Sequence, residues 1–369
     1  MDRVSEYNFG MEASKNSLPD LRSVGWRGEV PSGPAAGRRL ARVVAQHRNG
    51  YRLHDGVEEF RAQPAPRFLR RAADPAERPA VGDFVFVTAA NPPTIERVLP
   101  RRTLLRRTAA GESNAHQIIA ANVDTVMVVM GMDGDFNPRR VERYLALVQG
   151  SGARALVVLT KLDKTESAAA TAMRDELAGS LPATELHVVN AKDAASVAPL
   201  LAHLKPGDTA VLVGSSGAGK STLTNTLLGV DRQSTAAVRS SDSRGRHTTT
   251  HRALIQLPSG GCLIDTPGMR ELKLTGDEDL GAASFADIEA LALQCRFGDC
   301  AHGSEPGCAV RAALEAGTLG IGRWQGYLKL RGELAAMSDA LESQLKRKAQ
   351  ARSANKALGQ RLQEKYGRR

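Results

Sequence analysis

Gly214-Ser215-Ser216-Gly217-Ala218-Gly219-Lys220-Ser221 is the stretch on which the reading of this chain turns. It fits the pattern G-x-x-x-x-G-K-[ST]. An apolar run, Ala210-Val211-Leu212-Val213, precedes it, and Leu223, Leu227 and Leu228 follow at helical spacing. A strand, a glycine-rich loop and a helix in that order form a phosphate cradle. The glycines let backbone N–H groups curl round a β-phosphate, and the helix N-terminus adds its positive end. Lys220 is expected to reach the β- and γ-phosphates and Ser221 to ligate Mg²⁺.

Two further motifs lie on either side. Downstream, Asp265-Thr266-Pro267-Gly268 closes the apolar run Cys262-Leu263-Ile264. Asp265 there can hold Mg²⁺ through water, and the Gly268 N–H can bind a γ-phosphate, so this loop would sense that phosphate. Upstream, Thr160-Lys161-Leu162-Asp163 ends the run Ala155-Leu156-Val157-Val158-Leu159 and matches [NT]-K-x-D. Asp163 would accept hydrogen bonds from guanine N1–H and the exocyclic amine. Adenine offers neither donor, so ATP would leave a buried carboxylate unpaired. Asn190-Ala191-Lys192, after the next apolar run, fits a loop whose backbone N–H meets guanine O6. The GTP-binding set is therefore Thr160, Lys161, Leu162, Asp163, Asn190, Ala191, Gly214, Ser215, Ser216, Gly217, Ala218, Gly219, Lys220, Ser221, Thr222, Asp265 and Gly268. Ras-like GTPases run phosphate loop, DxxG, then NKxD. Here the guanine motif comes first, and the three can meet on one nucleotide only in a circularly permuted domain.

Between Asp231 and Arg246 lies a polar stretch suited to a switch loop, ending in Gly245-Arg246-His247-Thr248-Thr249-Thr250. A threonine here would close onto Mg²⁺ and the γ-phosphate. Thr249 is favoured, with Thr248 a close rival. Further on, Cys295, Cys300, His302 and Cys308 supply three thiolates and an imidazole within a short span, a full tetrahedral shell for one structural Zn²⁺. Cys262 reads as a small core residue.

The wider pattern is strands alternating with helices, which implies a doubly wound α/β sheet. A helix is expected to start at Pro138, and residues 252–257 and 262–264 read as a hairpin. N-terminal to this, Leu40 to Val44, Val81 to Val87 and Thr94 to Leu99 read as short strands of a β-barrel of the oligonucleotide-binding (OB-fold) type. Arg101, Arg102, Arg106 and Arg107 read as a basic linker. The expected divisions are a loose arm over 1–36, the barrel over 37–104, the permuted GTPase domain over 113–273, a helical zinc-binding domain over 280–340 and a basic tail over 341–369. That tail is either a solvated helix or an arm for nucleic-acid phosphates.

The chain has 369 residues, 42% hydrophobic and 24% charged, ample for a buried core. Aromatics are 4%, so the core rests on aliphatic residues. A net charge of +10 points to a polyanionic partner (nucleic acid, a ribosome or an anionic membrane surface) or simply to an Arg-rich surface. The start lacks an apolar signal run, and no segment is long and apolar enough to span a bilayer. A cytoplasmic monomer is expected, with its four cysteines read as thiols or metal ligands.

Over roughly residues 38–335 these motifs resemble the ribosome-small-subunit-dependent GTPase A family (RsgA, also called YjeQ or EngC). The resemblance is carried by TKLD, GSSGAGKST, GRHTTT, DTPGMRE, QCRFGDCAH with EPGCAV, and RWQGYLKL. It implies an OB-fold barrel, a permuted GTPase domain and a zinc-binding domain. It also implies a GTP hydrolase of late 30S maturation, binding 16S rRNA and released on hydrolysis, with GTP or GDP and Mg²⁺ bound. The alternative is a GTP-gated RNA-binding module acting on mRNA or tRNA. Asn190 stands where the guanine loop more often has Ser, and Met269 stands where Ras-like proteins keep a water-orienting Gln. A thioether cannot orient water, which leaves His247 as the local candidate, or else as a switch-loop histidine facing RNA or solvent. With Lys220 and Thr249 it completes the expected catalytic set.

Overall fold

The structure, a computed structural model, describes residues 20–28, 38–47, 49–70, 75–88, 90–108, 116–229, 252–265 and 285–366. His247, Thr248, Thr249, Gly268 and Met269, with most of the expected switch loop, lie outside these residues.

Five strands close the N-terminal barrel: β1 (Arg38–His47), β2 (Gly50–His54), β3 (Glu59–Pro64), β4 (Phe84–Thr88) and β5 (Thr94–Val98). Their pairing runs β1–β2–β3–β5–β4 and back to β1, with β3 and β5 parallel and the rest antiparallel. Ala41, Val43, Leu53, Val85, Val87 and Ile95 fill its interior. A short helix, α1 (Pro66–Leu69), follows β3. β1 is buried over six consecutive residues rather than every second one. One face looks into the barrel, and the other is covered by the rest of the protein: Val44 belongs to the main core.

The second body is a sheet in the order β10 (Glu185–Val188), β9 (Arg154–Thr160), β8 (Thr125–Gly131), β11 (Thr209–Val213), β13 (Cys262–Asp265), β12 (Ala253–Gln256). All pairs are parallel except the β12–β13 hairpin. Every residue of β8 is buried, as in a central strand covered on both faces. Val126, Val128 and Met130 face one core cluster, and Met127 and Val129 face the other. The covering helices are α2 (Pro138–Gln149), α3 (Ser167–Ser180), α4 (Ala194–Val197) and α5 (Lys220–Leu228). α2 begins at Pro138, where the Asn137 side chain caps the Arg140 N–H. β12 also pairs with β1 at Ala45↔Ala253, so barrel and sheet are continuous.

Two expectations are corrected. The basic segment is not a linker: β6 (Leu104–Thr108) pairs antiparallel with β7 (His116–Ala121). Leu105, Ile118 and Ile119 are buried, and they outweigh the arginines between them. Nor is the whole of 1–36 loose. Leu21–Val24 forms a 3₁₀ turn capped by Asp20, with Leu21 and Val24 buried. Trp26 meets Phe84 edge to face at 4.7 Å, and these apolar anchors hold the segment on the barrel.

C-terminal to the sheet, α6 (Ala286–Ala292) packs against α7 (Ala309–Glu315), α8 (Ile321–Tyr366) meets α2, and α8 continues as one helix through residue 341. Among the described residues no helix is long and apolar enough to cross a membrane.

Candidate functional site

The parallel strands bring the C-terminal ends of β9, β10, β11 and β13 to one edge of the sheet, where ligands of doubly wound folds bind. Residues 214–221 leave that edge from the centre. Gly214 has φ +148°, and a Cβ there would meet the Val129 carbonyl at 2.1 Å. The loop can therefore turn out of the sheet only as glycine. Gly219, at φ +92°, starts α5, and no side chain caps that helix. Its first N–H groups are thus left to face an anion. The Lys220 ammonium bends back over the loop and donates to the carbonyls of Gly214 (2.7 Å) and Ser215 (2.5 Å). Ser216, Gly217, Ser221 and Thr222 are exposed, while Ala218 is buried beneath them.

The guanine motif is tied to this loop. Thr160, buried at the end of β9, donates its hydroxyl to the Ala218 carbonyl at 2.6 Å. Gly219 lies directly above, since a Cβ there would stand 3.1 Å from Thr160 Oγ1. Lys161 takes a left-handed conformation (φ 65°) that turns its side chain to Asp133, 2.5 Å away. That hydrogen bond holds the Asp133 carboxyl below its usual range. Asp163 pairs with Lys192 at 2.8 Å and is likewise held down by it. The Asn190 side-chain oxygen accepts the Lys192 N–H (3.1 Å), and the Asn190 backbone N–H donates to Ser196 Oγ (2.9 Å). Ala191 is fastened to α5, its carbonyl accepting from Thr226 Oγ1 at 2.6 Å. Motifs distant in sequence are thus bonded to one another.

Asp265 is the last residue of β13, one step beyond the Val211↔Ile264 pair with β11, on the same edge as the phosphate loop. Three polar side chains at this edge lie outside the expected binding set. Lys192 lies on Asp163, Asp133 on Lys161, and Asp135 on Ser215, whose hydroxyl donates to it. The first adjoins the Asn190-Ala191 pair. The two aspartates come from a β8–α2 loop with no motif of its own.

The cysteine cluster assembles away from this edge. Cys295 Sγ lies 3.5 Å from His302 Nδ1 and 3.9 Å from Cys308 Sγ, and Cys308 Sγ is 3.5 Å from the same nitrogen. A tetrahedral zinc with its usual bond lengths gives S–S and S–N edges of about 3.8 and about 3.5 Å, so the donors fit Zn²⁺. All four donor atoms lie within 4.8 Å of one another. Cys308 caps α7, accepting the Arg311 N–H at 3.4 Å. Desolvation opposes ionisation of Cys295, yet the N–H groups of Val310 and Ala309 at the start of α7 bring its thiol below the ordinary value. Thiolate is the metal-binding form. Glu305 accepts from the N–H groups of Ala301 and Gly303 and holds the loop around His302.

A second cluster, Glu185, His187 and His203, sits at the opposite end of the sheet. Arg154 is 2.9 Å from His203 Nδ1. Arginine can only donate, so Nδ1 accepts and Nε2 carries the proton it gives to Glu185, 3.1 Å away. That polarity suits a hydrogen-bond network and not a metal ligand.

A family model described as RsgA GTPase matches residues 98–275. The small ribosomal subunit biogenesis GTPase RsgA of Xanthomonas axonopodis pv. citri is 54% identical, over 91% of this chain and 94% of its own. That of Xanthomonas oryzae pv. oryzae is 55% identical, over 89% and 92%. Among solved structures, YjeQ from Thermotoga maritima is similar with a TM-score of 0.60 at 26% identity, over 81% of this chain and 99% of that one. YloQ, described as a circularly permuted GTPase, gives 0.57 at 24%, over 82% and 96%, and speaks for the fold alone.

Proposed function

This chain belongs to the RsgA GTPase family, and from that premise we propose that it hydrolyses GTP in the late maturation of the small ribosomal subunit. The observation that carries the reading is the bond from Thr160 Oγ1 to the Ala218 carbonyl, which joins a guanine motif and a phosphate loop in one site.

In that site Asp163 selects guanine, with Lys161, Leu162, Asn190 and Ala191 around the base. The N–H groups of residues 214–219 and the Lys220 ammonium take the phosphates. Ser221 and Asp265 hold Mg²⁺, with Thr249 from the switch loop. Bound there, the metal would supply positive charge beside the phosphate oxygens. His247 orients the attacking water. Thr249 and His247 lie outside the described residues, and their roles rest on the GRHTTT motif.

Cys295, Cys300, His302 and Cys308 hold one structural zinc, a reading supported by their donor spacing. The partner is the 30S subunit through its 16S rRNA, supported by the relatives' printed name. Barrel surface chemistry agrees in that the exposed Arg97 lies 5.1 Å from the Phe86 ring centre, a charge beside a stacking plane of the kind RNA uses. The protein acts as a cytoplasmic monomer and leaves the subunit on hydrolysis.

Cosedimentation with 30S subunits tests this. A shift of the protein into the 30S peak with a non-hydrolysable GTP analogue supports it. Equal distribution with and without the analogue overturns it.

A further inference from the structure

Between β8 and α2 the chain makes a short acidic turn, residues 132–137, Met-Asp-Gly-Asp-Phe-Asn. Its two carboxylates each hold a residue from a different nucleotide motif: Asp133 takes the Lys161 ammonium and Asp135 takes the Ser215 hydroxyl. We propose that this turn is a third wall of the nucleotide site, and that Asp135 is a positioning residue that holds the phosphate loop open to polyphosphate.

The geometry is specific. Gly131 leaves room for Lys161 to cross: a Cβ there would stand 3.0 Å from Lys161 Nζ and 2.8 Å from Asp133 Oδ1. Asp133 is itself locked into the turn, accepting the Asp135 N–H at 3.2 Å and, by its carbonyl, the Phe136 N–H at 2.8 Å. The two carboxylates therefore move as one piece. Ser215 is gripped from two sides, its carbonyl by Lys220 and its hydroxyl by Asp135. When Lys220 turns to a bound phosphate, Asp135 still fixes the loop, so the N–H groups keep facing the ligand. Ordering a loop in advance lowers the entropy lost on binding.

A bare carboxylate beside a polyphosphate site would repel its ligand. Here Arg140, in the first turn of α2, pairs with Asp135 and cancels its charge. The arrangement thus separates two effects: Asp135 supplies an acceptor, and Arg140 removes the electrostatic cost of placing it there.

The proposal rests on the nucleotide-site reading above. Its test is GDP binding to the full-length protein by calorimetry in a double-mutant cycle of Ser215→Ala and Asp135→Ala. Each single variant should weaken GDP about tenfold, and the double variant no further than either, because both remove one charged hydrogen bond. Arg140→Ala should weaken GDP more at low salt than at high salt, and adding Asp135→Ala to it should restore the wild-type salt dependence, since the exposed charge is then gone, leaving only the roughly tenfold loss of the Asp135 single variant. A merely structural role predicts no such restoration. Melting temperatures within a few degrees of wild type show that the variants fold. Losses that add in the cycle, or no restoration in the Arg140 background, overturn the proposal while leaving the nucleotide site standing. A wild-type protein that binds no GDP overturns both.

Discussion

Where the barrel meets the sheet, the polar contacts include a backbone pair, Ala45↔Ala253, the Arg27 ion pairs with Asp124 and Asp208, and one fully buried cation, Arg42. Where the knuckle region meets α2, they are ion pairs between side chains. Arg42 donates to four partners from four segments: the Val24 carbonyl (2.6 Å), the Gly82 carbonyl (3.1 Å), the Asn122 carbonyl (3.0 Å) and Thr209 Oγ1 (2.7 Å). It also lies 4.7 Å from the Phe84 ring centre. Burial lowers its pKa to about 10, still far above neutrality, so it stays charged. At the other junction Arg323 pairs with Glu142 (2.9 Å) and Asp287 (2.6 Å), and Arg143 with Glu333 (2.9 Å). Glu142 is fully buried, but its Oε2 accepts no hydrogen bond among the described residues. At the first junction three of the four Arg42 acceptors are backbone carbonyls, fixed by the chain itself. The second is held by side chains that can exchange partners. The barrel is thus tied to the sheet through the backbone as well as side chains, and the region around Cys295 to Cys308 is tied to α2 through side-chain ion pairs beside apolar packing. In the chain that region follows Asp265 and the expected γ-phosphate loop, so it is the part a nucleotide-dependent movement would reach.

The largest expected effect is at Arg42. Arg42→Met strands buried acceptors in four segments at once and should cost about 3–5 kcal/mol of stability in denaturant unfolding. A loss under about 1 kcal/mol would remove the contrast. Cys308→Ala removes a proposed zinc ligand and the cap of α7 together. Hydrogen exchange should show protection lost across α6 and α7, while GDP affinity stays within about threefold because metal binding and local folding are coupled only there. Spread of the loss into β1 or β11 would show the two junctions to be one cooperative unit.

Glu142→Gln should have the smallest effect. Burial pushes the Glu142 carboxyl above its ordinary 4.5, and Arg139 and Arg323 offset this only in part. A folded pKa above the unfolded one means its favourable contribution is complete below pH 4.5 and lost as pH rises through the raised value. At neutral pH the ionised group is a burden, and Arg323 keeps Asp287, so the variant should change stability by less than about 1 kcal/mol. Wild type should then gain on the variant as pH falls toward 4.5. A several-kcal/mol loss at pH 7 would make this junction as firm as the barrel's.

Much of this site was legible because its motifs are local. Residues 214–221, 160–163 and the Cys295 to Cys308 knuckle each announce their chemistry within a few positions, and the flanking apolar runs fix the strand ends. What escaped depends on partners far away in the chain. Arg42 sits in Leu40-Ala41-Arg42-Val43-Val44, where its charge alone would send it to solvent, and only the approach of Thr209 and Val24 satisfies it in burial. Asp133 and Asp135 look like turn residues until β9 and β11 come alongside β8. The arginines around Leu105 mask a strand whose burial comes from its neighbours. The segment 20–28 has too few apolar residues to reveal its docking on Phe84.

GTP turnover by the purified full-length protein, measured with and without 30S subunits, bears most directly on the function. On the proposed reading Met269 stands in place of a water-orienting Gln, so intrinsic hydrolysis should be slow and 30S subunits should raise the rate at least about tenfold. Fast turnover by the protein alone, unchanged by 30S subunits, would contradict it.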